Sequence, residues 1–123
     1  MAIEKHEVKI STTGSDASAT GSLVVPLPYC EILAAHMDFH ASAPASTDTT
    51  LSSPGDPVSL TLLTITNSAT DAWYYPTHQL DDSSGSAITG AYIPAIVHGN
   101  LLVELAGCDA LTDALTLTLI VRV

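Results

Sequence analysis

His36, Asp38 and His40 are the residues whose types and spacing come nearest to metal-binding chemistry. On a strand, all three side chains would project from one face, about 6–7 Å from one to the next. Imidazole and carboxylate groups suit zinc or a similar ion. Ligands on a single strand stand too far apart to close a site unaided, however, and no cysteine or glutamate is placed to complete it. We therefore interpret them as the polar end of a strand and predict no metal and no cofactor.

The aromatic block Trp73-Tyr74-Tyr75 is the second candidate, and it holds half of the aromatic residues of the chain. Stacked aromatic rings on a β-sandwich can bind sugars, and Trp and Tyr are also favoured anchors at protein interfaces. Strand alternation favours a plainer arrangement, in which Trp73 and Tyr75 turn into the core and Tyr74 faces outward. All three residues stay candidates for an interface or a ligand site.

The remaining reactive groups fit ordinary structural roles. Residues 81–86 could offer oxygen ligands to calcium, but the EF-hand pattern is absent and we expect an acidic surface turn. The sequence has no nucleophile elbow, P-loop, dinucleotide fingerprint or paired-histidine zinc motif, so we predict that the protein is not an enzyme. Cys30 and Cys108 match no metal spacing and are predicted to be free thiols of a protein made in a reducing cytoplasm.

The charge balance argues against two classes of partner. The net charge is −10, and only Lys5, Lys9 and Arg122 are basic. Nucleic-acid binding needs a basic stripe that displaces counterions from phosphates, and anionic membrane surfaces attract basic segments. We therefore predict neither nucleic acid nor membrane as a partner. The N-terminal residues also lack the apolar core of a signal peptide, and no stretch has the roughly 20 apolar residues of a membrane span.

The elements that must position these residues have β-type patterning. Leu and Val recur at every second position from Leu115 to Val123, which predicts a strand with one apolar face. Residues 29–40 fit a strand or a helix, and we predict a strand because the rest of the chain is β. On it, Met37 and other odd-numbered apolar residues would share one face, with Cys30 and Ile32 on the other. The alternation changes phase over 58–66, which predicts a β-bulge or a strand buried on both faces.

The segments between these strands, residues 11–22 and 41–57, are rich in Ser, Thr, Gly and Pro and read as loops. About seven or eight short strands separated by turns predict an all-β protein, a single antiparallel β-sandwich of jelly-roll type. We divide the chain into two parts. Residues 1–19 form an extended N-terminal arm or an edge strand with a flexible linker, and residues 20–123 form the sandwich domain.

The order of these elements resembles the head decoration, or cement, proteins of tailed bacteriophages and related small β-sandwiches of the virion. The resemblance covers roughly residues 20–123 and begins with a strand after a proline-marked turn. The block Tyr75-Pro76-Thr77-His78 then leads into a polar turn over 81–85, and residues 96–107 and 115–123 form a closing hairpin. This chain departs from the pattern at Glu104 and in the turn over 107–113, where the relatives tend to carry lysine and a Gly/Asn-rich turn.

The resemblance implies a structural protein of the virion, made in the host cytoplasm, that forms a homotrimer on the outer capsid surface. There it would bind the major capsid protein and stabilise the head by bridging coat subunits. A hydrophobic content of 46% fits either a well-filled core or a surface that is buried in an assembly, and we favour the second. The N-terminal residues Ile3, Lys5, Val8 and Lys9 are our candidates for contact with an acidic coat surface. The alternatives are a carbohydrate- or receptor-binding module, and a tail or baseplate subunit.

Overall fold

The structure is a computed structural model that describes residues 2–54 and 59–123. Regular structure in this part of the chain consists of antiparallel strands, which form two sheets packed together around one apolar core. The predicted class, an antiparallel β-sandwich, is confirmed. The strands are β1 (Ile3–Ile10), β2 (Ala19–Val25), β3 (Cys30–Phe39), β4 (Asp48–Ser53), β5 (Leu60–Ile65), β6 (Ala72–Tyr74), β7 (Thr77–Asp81), β8 (Ala87–Val97), β9 (Leu101–Cys108) and β10 (Leu115–Arg122).

The strand order is that of a jelly roll. Sheet 1 has the order β1-β10-β3-β8-β7, with β6 also paired to β3, and sheet 2 has the order β2-β9-β4-β5. The pairings are nested along the chain, because β1 pairs with β10, β2 with β9 and β3 with β8. A long antiparallel ribbon of this kind, folded over into two sheets, is the jelly-roll arrangement. Strands β6 and β7 are additions to the eight strands of that pattern.

The predicted closing hairpin is wrong, because β9 lies in sheet 2 and β10 in sheet 1. Both strands bury their apolar inner faces in the core, but they do so from opposite sheets and do not pair with each other. The strand count of seven or eight is also too low for the described residues. Strand β4 lies inside the segment 41–57 that the composition predicted to be a loop, and β2 begins at Ala19, inside the predicted loop 11–22. Hydroxyl-rich composition conceals β4, whose Thr49 and Ser53 are buried.

Strand β10 forms the centre of the core, as its alternation predicted. Leu115, Leu117, Leu119 and Val121 are completely buried, and the residues between them face away from the core. It lies between β1 and β3 in sheet 1, so both of its edges are paired.

The strand prediction for residues 29–40 is confirmed, but the predicted division of its faces is wrong. Ile120 pairs with Ala34 and Val121 with Ile32, which leaves Leu33 as an extra residue in a bulge. The bulge reverses the alternation, so Cys30 and Ile32 lie on the buried side together with Met37. Both Cys30 and Cys108 are buried free thiols, as predicted. Burial, with a smaller contribution from the charge of Glu4, raises the pKa of the Cys30 thiol.

The phase change in the next predicted strand also marks a bulge. Leu51 of β4 pairs with Leu63 of β5, whereas Ser52 pairs with Thr61, so Leu62 is the extra residue. The predicted bulge is confirmed. Residues 57 and 58, where the predicted loop and strand meet, lie outside the described residues.

The N-terminal segment is an edge strand of sheet 1 rather than a separate arm. All eight residues of β1 have partners on β10, from Ile3 opposite Arg122 to Ile10 opposite Leu115. The predicted flexible linker that follows is a loop with specific hydrogen bonds. The Thr12 hydroxyl donates to the carbonyl oxygen of Asp109 and accepts from the backbone N–H of Leu111.

Candidate functional site

The strand register assembles one continuous surface, which we call the outer face: the outward side chains of β1, β10, β3 and β6. Directly opposed residues of antiparallel strands lie on the same side of a sheet. Since the odd-numbered residues of β10 from 115 to 121 are buried, the even-numbered residues and their partners point outward. Two rows of opposed residues cross this surface, Ile3–Arg122–Glu31 and Glu7–Thr118–His36–Trp73.

The outer face is electrically balanced, unlike the rest of the molecule. It carries all three basic residues of the chain, since Lys5 lies opposite Ile120, Lys9 opposite Thr116, and Arg122 on β10 itself. Three acidic residues point outward on the same strands and balance them, namely Glu7, Glu31 and Asp38, whereas Glu4 of β1 lies on the other side, opposite Val121. The net charge of −10 therefore falls on other surfaces. An acidic partner can therefore approach this face with less repulsion than the net charge of −10 would produce on average.

Arg122 of β10 and Glu31 of β3 form a bidentate ion pair. Arg122 Nε donates to Glu31 Oε1 at 3.1 Å, and Arg122 Nη2 donates to Glu31 Oε2 at 2.9 Å. The hydrogen bonds from Arg122 lower the pKa of the Glu31 carboxyl, and the same contact raises the pKa of the guanidinium. This pair fixes two long side chains in one geometry beside the exposed Ile3 and Ile96.

Trp73 stands on the outer face, which contradicts the predicted alternation of the aromatic block. Its ring lies 4.8 Å from the His36 ring, measured between centroids and tilted by 55°, and 49% of the residue is exposed. Tyr75 is 67% exposed, whereas Tyr74 packs against the core. The prediction placed Trp73 and Tyr75 inside and Tyr74 outside, and it is wrong.

The reversal follows from the way β6 attaches to β3. Tyr74 pairs with the buried Ala35 and Trp73 with His36, so β6 takes the inward and outward assignment of its neighbour. The carboxylate of Asp71 fixes this register, since its Oδ1 accepts the Phe39 backbone N–H at 2.8 Å. Pairing with a strand more than thirty residues earlier is not encoded in the local pattern.

The N-terminal candidates divide between the two sides of β1. Ile3 is 65% exposed and Lys5 and Lys9 face outward, while Val8 packs against the core. The structure therefore places Ile3, Lys5 and Lys9 on the same face as Trp73, and it separates Val8 and Tyr74 from them. Neither lysine forms an ion pair with another described residue.

The three residues considered for a metal have other neighbours. His36 lies against Trp73, Asp38 is exposed, and the Nδ1 atom of His40 accepts the Ser42 backbone N–H at 3.0 Å. Within residues 2–54 and 59–123, the structure has no group of three or more His, Cys, Asp or Glu side chains arranged to hold a metal ion.

The acidic turn over residues 81–86, considered above for calcium, is closed by hydrogen bonds within the turn itself. Asp82 Oδ1 accepts the backbone N–H groups of Ser84 at 2.8 Å and of Ser86 at 3.0 Å. The carboxylate thereby closes the turn between β7 and β8, as expected of an aspartate in a tight turn.

One feature of sheet 2 was missed from the sequence, a polar groove of about 690 Å³ between β2, β9 and β4. The register places Ser22, Glu104 and Thr50 in one outward row, and Asp48 extends it. Alternation within 101–108 could have indicated that Glu104 points outward. The groove lining is rich in hydroxyl groups and carries the acidic residues Asp48 and Glu104. Its negative charge would repel an anionic partner.

Comparison with protein-family models, with curated proteins and with solved structures found no match to this chain. In the described residues, no helix has the length and apolar character needed to cross a membrane. The fold class therefore rests on the strand pairings alone, and a function has to be inferred from the surfaces.

Proposed function

We propose that this chain is a non-enzymatic structural protein that attaches to a larger assembly through the outer face of sheet 1. The observation that carries the proposal is the balanced outer face of an otherwise acidic molecule, with exposed Ile3 and Trp73 among its charges. The resemblance supplies the assembly, the head of a tailed bacteriophage. There the protein binds the major capsid protein on the outer surface and stabilises the head by bridging coat subunits.

The outer face suits this role because its backbone is held by strand pairing. Little backbone freedom is therefore lost when this face meets a partner. Trp73 supplies a large anchor, and Lys5 and Lys9 complement an acidic coat surface. Repeated weak contacts become strong when several coat subunits are engaged at once. Synthesis in the host cytoplasm and location in the virion belong to the same proposal.

Co-sedimentation with heads assembled from the coat protein encoded in the same genome tests the proposal. We expect the double variant Lys5→Gln/Lys9→Gln to weaken binding about tenfold, and Trp73→Ala to weaken it by at least as much. The matched control is Ser22→Glu/Thr64→Glu, which makes the same change in net charge on the exposed surface of sheet 2. Equal binding by the wild type and the lysine variant, or no binding by the wild type, would overturn the proposal.

A carbohydrate-binding module is the second candidate, because Trp73 and Tyr75 are exposed rather than buried. Two exposed rings close together in sequence offer flat apolar surfaces on which a sugar ring can stack. Trp73 is the single tryptophan, so its fluorescence reports directly on this position. Titration with a panel of oligosaccharides should give a saturable change that Tyr75→Ala weakens. A flat titration with every sugar would remove this candidate.

A further inference from the structure

One row of outward side chains in sheet 1, which we call the Arg122 row, has an ion pair at its centre and an exposed isoleucine at each end. Strand pairing orders it as Ile3 of β1, Arg122 of β10, Glu31 of β3 and Ile96 of β8. Ile3 is 65% exposed and Ile96 41%. Neighbouring strands lie about 4.8 Å apart, so the row is about 14 Å long from one isoleucine to the other.

The Arg122 guanidinium has donors left over after it binds Glu31. It carries five N–H groups, and Glu31 accepts one from Nε and one from Nη2. No other side chain or carbonyl in the described part of the molecule accepts from this guanidinium, so the two parallel N–H groups at its tip, on Nη1 and Nη2, are available. The side chain is 32% exposed. A carboxylate from a partner can therefore bind this tip in a second bidentate contact.

Glu31 orients the guanidinium, and Lys5 adds a positive charge beside it. The two hydrogen bonds from Arg122 to Glu31, at 3.1 Å and 2.9 Å, already hold the arginine in one geometry, so little rotamer freedom is lost when a partner binds it. Lys5 lies opposite Ile120, which makes it the diagonal neighbour of Arg122, about 7–8 Å away along the backbone. These three charged groups sum to one positive charge, which attracts an anion.

We propose that the Arg122 row binds an extended acidic segment of the partner, in which an acidic residue stands two positions from an apolar residue on either side. Alternate side chains of an extended chain share one side, and its first and fifth residues are about 13 Å apart. This spacing matches the length of the row, so the two apolar residues contact Ile3 and Ile96 while the carboxylate accepts from the tip of Arg122. That the segment belongs to the coat protein rests on the proposed function.

Hydrogen-bonding chemistry selects an acidic segment over the alternatives. A basic side chain offers only donors, and the tip of Arg122 also has only donors. An entirely apolar segment would cover these N–H groups without pairing them, which costs free energy. A carboxylate pairs them, and contacts with Ile3 and Ile96 exclude water from the charged centre and strengthen its hydrogen bonds.

Titration with a blocked peptide, acetyl-Leu-Ser-Glu-Ser-Leu-amide, tests the Arg122 row without any capsid. Arg122 is the single arginine of the chain, so its Nε–H signal in a heteronuclear NMR spectrum is unambiguous. We expect a saturable shift of this signal, together with backbone amide shifts that give the dissociation constant. The matched control peptide has glutamine in place of glutamate and should bind at least about fivefold more weakly.

Two substitutions separate this contact from general charge and general hydrophobicity. Arg122→Lys keeps the positive charge but lacks the planar pair of donors, and it should weaken peptide binding about fivefold. Ile96→Ser removes one apolar end and should weaken binding about threefold. Ile88→Ser changes a residue of β8 with nearly the same exposure, 42%, outside the row and should have no effect. Circular dichroism establishes that each variant is folded.

The outcomes distinguish this inference from the proposed function. Absence of a saturable shift, equal binding of the two peptides, or full peptide binding by Arg122→Lys would overturn the inference. In co-sedimentation with heads, Arg122→Lys should bind about fivefold more weakly than wild type. Head binding that this variant leaves unchanged would remove the coat segment as the occupant and leave the proposed function intact. Peptide binding without head binding would overturn the proposed function and support the Arg122 row as a site for acidic segments.

Discussion

Strand β10 and the β7–β8 hairpin belong to the same sheet, yet their surroundings are opposite. β10 has a paired strand on each side, and its inward residues are completely buried. The hairpin has an open edge at β7 and exposes Leu80, Ile88 and Tyr92. The difference shows that an alternating pattern predicts a strand, whereas the neighbouring strands determine whether its apolar side chains are buried in a core or stay exposed to solvent.

Hydrogen exchange of the backbone amides should show the largest contrast between these regions. Amides of β10 should exchange only through global unfolding, which costs about 5–15 kcal/mol in a domain of this kind. Amides of Leu80 and of the adjacent turn should exchange through local opening at a small fraction of that free energy. Measurement in dilute protein by NMR or mass spectrometry checks this. Equal protection in both regions would break the comparison.

Shortening a leucine in each region gives the next largest effect. Leu117→Ala leaves a cavity in the core and should lower the free energy of unfolding by about 2–5 kcal/mol. Leu80→Ala should change it by less than about 1 kcal/mol in dilute protein, because water already reaches this side chain. Urea unfolding of the two variants measures the difference, and similar midpoints would contradict it.

Two glycines compare the packed and open backbones. A Cβ at Gly21 would clash with the carbonyl oxygen of Ser11, so Gly21→Ala forces the backbone apart and should cost about 1–3 kcal/mol. Gly90, on the hairpin, has open space around it but a φ of +81°. Gly90→Ala should therefore cost only the conformational strain, about 1 kcal/mol. Thermal unfolding of the two variants ranks their effects on Tm. A larger decrease in Tm for Gly90→Ala than for Gly21→Ala would contradict the close backbone packing at Gly21.

The smallest effect concerns Glu31, which anchors the exposed end of β3 to β10. Arg122 lowers the pKa of Glu31 in the folded state, so this pair stabilises the fold above the ordinary glutamate pKa of about 4.3. The contribution is lost as the pH falls through the lowered pKa. Glu31→Gln should reduce Tm slightly at neutral pH and converge with wild type in acid. Parallel Tm curves from pH 7 to pH 3 would show that the pair contributes nothing.

Sequence reasoning succeeded where the determining information is local. Strict alternation fixed β10, and the phase change near Leu62 indicated its bulge. It failed where a distant partner decides the outcome. The bulge at Leu33 reverses the faces of β3, and the register on β3 turns Trp73 outward. Hydroxyl-rich β4 is buried by its neighbours rather than by its own composition.

The candidate surface illustrates the same limit. Lys5, Lys9 and Trp73 were each identifiable as unusual residues, but their shared face depends on β1, β10, β3 and β6 lying side by side. The four strands come from both ends and the middle of the chain. The open edge at β7 is likewise set by the topology, because local patterning does not show which strand ends a sheet.

The place of β10 between β1 and β3 has a consequence for biosynthesis. During translation, β1 and β3 leave the ribosome long before β10, and β10 is the strand that joins them. Sheet 1 therefore stays in two pieces, with apolar inner faces uncovered, until residues 115–122 have emerged. We expect a nascent chain stalled before Leu115 to be sensitive to proteases and to be bound by chaperones, and folding to be slow, because its decisive contacts join sequence-distant strands.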